Sequence, residues 1–216
     1  MPLSSPDAPT DRHAVTPETP AARPRRSIGT DIALIAAFAA LVAVCGLLPA
    51  LKVNGLVPIT LQTFAVLLCG AVLGSRRGFL AVLLYLVVGS AGLPIFSEGR
   101  AGLGVFAGPR VGYLVGFPFA AALCGFLVER LPATGRKAGD VALVFLCGLA
   151  GSAAFIHTLG IAGLVWRADM TWTAAMKFEL TYVPGDLLKN LAMALVATSV
   201  HRAFPDLRPR RGRARS

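Results

Sequence analysis

The sequence predicts an all-α, polytopic membrane protein of six transmembrane helices with a Gly-rich external lid loop, and three observations carry that expectation. Hydrophobic residues make up 55% of the 216-residue chain and charged residues only 15%, with a mean hydropathy of +0.68. That is too little polar material to cover a water-facing globule. Nearly charge-free apolar runs recur at close to the roughly 20 residues that one helical crossing needs. Lysine and arginine collect in alternate links between those runs, the pattern that sets topology in a bilayer.

The first run spans Ile32 to Ala50, and the second follows Pro58, which suits the first helical position, and ends near Gly74. Lys52 and Asn54 lie in the link between them. The third run, Gly78 to about Phe96, is separated from the second only by Ser75, Arg76 and Arg77, so these two helices form a tight hairpin. The fourth runs from Val111 to Val128, the fifth from Val141 to Val165 with the solitary His157, and the sixth from near Pro184 to about Val200. Residues 31–204 therefore form one membrane domain. Residues 1–30, rich in Pro, Ser, Thr and Ala, read as a disordered cytoplasmic tail with no secretory signal pattern, and 205–216 as a basic cytoplasmic tail.

Six crossings place both termini on one side. The termini and the even-numbered links hold 15 Lys and Arg residues, whereas the opposite links hold 5 (Lys52, Arg100, Arg110, Arg167 and Lys177), so both termini are expected to be cytoplasmic. The same distribution removes nucleic acid as a partner for the net charge of +10, because the basic residues fall between apolar runs rather than on one folded face. Cys45, Cys69, Cys124 and Cys147 each stand alone in an apolar run, without metal or redox spacing.

Two external links exceed the length of a turn. Gly92 to Arg110 carries Gly99, Gly102, Gly104 and Gly108 among apolar residues. Irregular backbone near membrane depth is tolerated only where protein or a cavity covers it, so this stretch reads as a lid or re-entrant segment. The other, Ala168 to Val183, lies beside Trp166 and Trp172, which read as interfacial anchors.

Asp186 and Lys189 stand inside the sixth run, at about 2.5–3.5 kcal/mol each on insertion scales, so they are expected to face protein or an aqueous cavity. Three residues apart on a helix, they lie within about 60° of one another, and one bound molecule can meet both heads. The alternative is an ion pair closed on itself near a helix start, where an aspartate is also favoured by the dipole.

Enzymatic constellations are not evident. An aspartyl dyad needs a second buried acid, yet Glu98, Asp169 and Glu179 read as link residues. Ser152 and His157, five residues apart, point about 140° away from each other on an α-helix, so His157 reads as a hydrogen-bonded core histidine. No H-E-x-x-H motif or phosphate loop occurs, so no catalytic, metal or cofactor site is expected, and ATP hydrolysis would have to come from another chain. On the first helix, Ala33, Ala37 and Ala40, or Ala36 and Ala40 with Ala43, form a small-residue stripe, suited either to packing within the bundle or to docking another membrane subunit.

Four stretches, V-P-I-T-L-Q-T-F at 57–64, G-L-P-I-F at 92–96, G-L-G-V-F-A-G-P-R-V-G-Y at 102–113 and P-G-D-L-L-K at 184–189, resemble the BioY family. The resemblance runs from about Asp31 to Val200 in unbroken order. It implies the biotin-binding S component of an energy-coupling factor (ECF) transporter in the bacterial cell membrane, working with a transmembrane coupling subunit and two ATPase subunits. It also implies that Asp186 and Lys189 belong to the biotin site, and that the stretch holding Gly102, Gly104 and Tyr113 is lid and cavity wall. Biotin's ureido ring offers N–H donors and a carbonyl acceptor, which Asp186 and Lys189 could match, although Lys189 could instead meet the valerate carboxylate. Gln62 could add an amide contact or simply bond between helices. Arg100, Ala101 and Arg110 depart from the family's pattern in the lid. The competing reading is a self-sufficient ion- or proton-coupled transporter with Asp186 as carrier.

Overall fold

An apolar chain whose polar groups must be satisfied internally is driven into helices, and the computed structural model, which describes residues 28–49, 60–132 and 136–205, is helical throughout. Among the described residues no strand forms; one isolated bridge joins Phe96 and Arg100. The expected tail up to residue 27, Lys52, Asn54, Pro58 and the basic tail from residue 206 lie outside the described residues.

In chain order the helices are α1 (Ile28–Leu47), α2 (Gln62–Leu73), α3 (Ser75–Ser90), α4 (Val111–Arg130), α5 (Lys137–Arg167), α6 (Trp172–Leu180) and α7 (Val183–Ala203). By length and apolarity, α1, α4 and α5 are each long enough to cross a membrane. Every expected apolar run overlaps a helix, with three differences. The α2–α3 hairpin turns on Gly74 alone, at φ 86°, and the expected link residues Ser75 to Arg77 are the first turn of α3. Helix α3 stops at Ser90 rather than near Phe96, because Gly92 takes φ +113° and Pro94 follows. Helix α6 occupies what reads as a link.

Helix α2 is the axis of the bundle: ten of its twelve residues are buried, against α1, α3, α4 and α7. Small residues set how closely its neighbours approach. A Cβ on Gly70 would lie 2.0 Å from the carbonyl oxygen of Ala121 on α4, and one on Gly112 of α4 would lie 1.8 Å from that of Leu159 on α5. Where lipid tails offer no hydrophobic drive between helices, such backbone contact is the main source of association. The outer face stays apolar, with Leu83, Val87, Phe119, Leu146, Leu188 and Leu195 exposed, as a lipid solvent requires.

Polar contacts mark the two ends of the bundle. At one end Asp31 pairs with Arg77 at 3.1 Å, Asp140 with Arg202 at 3.6 Å, and the Ser75 N–H donates to Glu129 at 2.7 Å. This end therefore gathers the start of α1, the Gly74 turn, the end of α4, the start of α5 and the end of α7. The long Gly-rich link and α6 lie at the other. Substituting Gly112→Ala is expected to lower the unfolding free energy by about 1–3 kcal/mol through backbone overpacking. Gly104→Ala, whose Cβ would meet nothing within 4 Å, should leave it unchanged. Thermal unfolding of both variants in detergent checks the difference.

Candidate functional site

A cavity, partly open to the outside, lies at the end of the bundle that holds the Gly-rich link. Leu114 and Phe117 of α4, Ile156 of α5, and Phe96 and Val105 of the link supply apolar walls. Thr60, Gln62 and Thr63 at the start of α2 contribute polar groups, as do Ser97, Arg110, Tyr113, Glu179, Asp186 and Lys189.

Asp186 and Lys189 both line this cavity, with side chains 14% and 13% exposed. Lys189 Nζ donates to Asp186 Oδ1 at 2.5 Å and to the Thr60 carbonyl at 3.0 Å, and Thr63 Oγ1 donates to the same Oδ1 at 3.3 Å. The pair is closed on itself and faces the cavity at once, so the two sequence alternatives are not exclusive. Oδ2 carries no hydrogen bond to any described residue and so remains as an acceptor.

Behind the pair stands a buried network that sequence reasoning missed. Glu179, 5% exposed, is not a link residue but the buried face of α6. Its Oε1 lies 2.6 Å from His157 Nδ1, and its Oε2 accepts from the Tyr113 hydroxyl. Ser152 Oγ and His157 Nε2 are 2.9 Å apart, which overturns the expectation that these residues diverge. The reason is local: Ser152–His157 is a π-helical turn within α5, and its i→i+5 bonding brings residues five apart to one face. A signal for Glu179 was available, since Ala175, Glu179, Tyr182 and Asp186 follow a helical spacing toward one side.

The Gly-rich link is ordered against α3. Phe96 is buried edge-on between the rings of Tyr85 and Phe106, at 5.4 and 6.1 Å between centroids, and the Gly102 N–H donates to the Gly89 carbonyl at 2.8 Å. Neither Gly102 nor Gly104 is among the cavity-lining residues; the link reaches the cavity through Phe96, Ser97 and Val105. Gln62 lines the cavity, but its amide already donates to the Tyr85 hydroxyl at 2.5 Å. Arg110 Nη2 donates to Glu98 Oε2 at 2.7 Å, leaving Nη1 buried without a hydrogen-bond partner, and Ser97 Oγ is in the same state. Ala33, Ala36, Ala37 and Ala40 are exposed on the outer face of α1, whose buried side is Ala39, Val42, Cys45 and Gly46.

A membrane bundle that is all-helical among the described residues, with a polar-studded cavity beneath an ordered link, defines a small-molecule-binding membrane protein. The sequence matches the BioY family over residues 18–206, and the chain belongs to that family. It is 39% identical over 178 residues to the biotin transporter BioY of Rhizobium etli, covering 81% of this chain and 95% of the relative. It is likewise 39% identical over 191 residues to that of Rhodobacter capsulatus, covering 84% and 98%. Its fold is similar to the crystal structure of the S-component for biotin from an ECF-type ABC transporter, with a TM-score of 0.72 at 24% identity over 82% of this chain and 95% of the other.

Removing Glu179 leaves two hydrogen-bonding groups, the Tyr113 hydroxyl and His157 Nδ1, without their partner. Glu179→Ala is therefore expected to cost about 1–3 kcal/mol of stability for each group left unsatisfied. Tyr113→Phe, which removes one hydrogen bond, should cost about 1 kcal/mol. Unfolding of the two variants in detergent measures both.

Proposed function

We propose that this chain is the biotin-binding S component of an ECF-type transporter of the bacterial cell membrane, crossing six times with both termini cytoplasmic. The observation that carries the reading is the Asp186–Lys189 pair facing a cavity that combines apolar walls with several polar side chains. Membership of the BioY family and the names of its relatives supply the ligand. The direction of insertion is supported by the end of the bundle opposite the cavity, which holds Arg76, Arg77, Arg130, Arg136, Lys137 and Arg202.

Within the cavity, Asp186 Oδ2 accepts a ureido N–H and Lys189 donates to the ureido carbonyl, while the apolar walls enclose the thiophane ring and tail. Arg110 Nη1 and Ser97 Oγ, two buried donors without partners, suit the two oxygens of the valerate carboxylate. The link carrying Phe96 and Ser97 then acts as a lid, opened and closed between capture and release. The chain performs no chemistry on its ligand. Energy comes from two ATPase subunits through a transmembrane coupling subunit, for which the exposed Ala33, Ala36, Ala37 and Ala40 offer a face for close helix packing.

Detergent-purified protein is expected to bind radiolabelled biotin in equilibrium dialysis, and absence of binding in folded protein overturns the reading. Asp186→Asn and Lys189→Met should each weaken binding by about 10- to 100-fold, from the ~1.5–3 kcal/mol of a charged hydrogen bond. Ala36→Trp or Ala40→Trp should lower uptake into cells while leaving binding by the purified protein intact. Equal losses in both measurements would assign the alanines to internal packing.

A further inference from the structure

Asp186 is held from one side only by the contacts already named: Lys189 and Thr63 both bond Oδ1. On the other side, His157 Nε2 lies 4.0 Å from Oδ2, beyond hydrogen-bond distance but close enough to bound the space that the free oxygen occupies. The imidazole cannot swing away, because both its nitrogens are tied. Nδ1 meets Glu179 Oε1 at 2.6 Å and Nε2 meets Ser152 Oγ at 2.9 Å. Glu179 is itself held by the Tyr113 hydroxyl, so α4, α5 and α6 all contribute to the ring's position.

The π turn is what makes this possible. With α-helical spacing, Ser152 and His157 would diverge by about 140°, and one of these ties would be lost. Single π turns inside α-helices are costly in hydrogen-bond geometry and are found frequently at functional sites. Here the turn is pressed against α4: a Cβ on Gly116 would lie 2.6 Å from the Phe155 carbonyl oxygen, inside the turn itself. The fold therefore commits a distorted turn, a close helix crossing and a buried carboxylate to fixing one histidine beside the ligand-facing oxygen of Asp186.

We infer that His157, clamped by Ser152 and Glu179 in the π turn of α5, is a positioning residue that aims Asp186 Oδ2 at a ureido N–H of the ligand and so sets ring specificity. This rests on the proposed biotin site. The chemistry is directional: a carboxylate oxygen accepts well only when its lone pairs face the donor, and a neighbouring ring that blocks rotation keeps that orientation. His157 would then matter for the ring of the ligand and not for its tail.

The test compares three ligands, biotin, an analogue methylated on a ureido nitrogen, and biotin amide, by equilibrium binding to wild type, His157→Asn and His157→Gln. Asparagine places a polar atom where Nδ1 stands, so the Glu179 contact survives and the Asp186 neighbour is lost. Glutamine places one where Nε2 stands. In His157→Asn, the preference for biotin over the N-methyl analogue should fall by about tenfold, within the range of coupling between neighbouring residues, and the preference over biotin amide should not change. His157→Gln should keep both preferences. An equal loss of affinity for all three ligands in His157→Asn, or loss of the ring preference in folded His157→Gln, overturns the inference and leaves the biotin site standing. Failure of wild type to bind biotin overturns both.

Discussion

The site is organised around the ion pair between Lys189 and Asp186, 2.5 Å apart within a chain surrounded by apolar side chains. Neither charge could stay there alone, since an unpaired ion in such a medium is strongly disfavoured. Pairing brings the cost down but does not saturate either group. Thr63 and the Thr60 carbonyl complete the shell around Oδ1 and Nζ, and Oδ2 is left over. A pair satisfied in this uneven way is stable without ligand and still has an acceptor to present to one.

The rest of the bundle is arranged to hold that unevenness. Helix α2, nearly fully buried, brings Thr63 to the pair, and the residues just before it bring Thr60. Helix α4 approaches α2 at Gly70 and α5 at Gly112 and Gly116, where no side chain stands between the backbones. Because interiors are close-packed and respond in discrete steps, these contacts fix the register of the π turn and hence the place of His157. The hydrogen bonds through Ser152, His157, Glu179 and Tyr113 link the cavity wall to the π turn and reinforce one another.

Polarity from end to end divides the labour. One end carries ion pairs that tie helix termini together, and the other carries a cavity with an ordered link across its mouth. Phe96, wedged between Tyr85 and Phe106, anchors that link to α3. Glu98 takes φ 64°, uncommon outside glycine, while its carboxylate meets Arg110 at 2.7 Å. The link is thus held by a buried ring, by the hydrogen bond from the Gly102 N–H to the Gly89 carbonyl and by the ion pair of Glu98 with Arg110.

Much of this was determined by the sequence alone, because the governing physics is local. Apolar runs of spanning length name α1, α4 and α5, and the cost of an ion in hydrocarbon singles out Asp186 and Lys189 without any knowledge of contacts. The small-residue face of α1 was legible too, though only the structure decided that Ala33, Ala36, Ala37 and Ala40 point outward. The tertiary structure alone decided what depends on register and on packing between elements. A period of 3.6 residues separates Ser152 from His157, and it took a π turn, pressed on α4, to bring them within 2.9 Å. Glu179 read as a link residue because α6 is only nine residues long, and burial against α4 and α5 made its carboxylate part of the site. Hydropathy reports the medium a segment prefers, whereas a binding site is a set of directions, and directions are set by the neighbours a segment meets once folded.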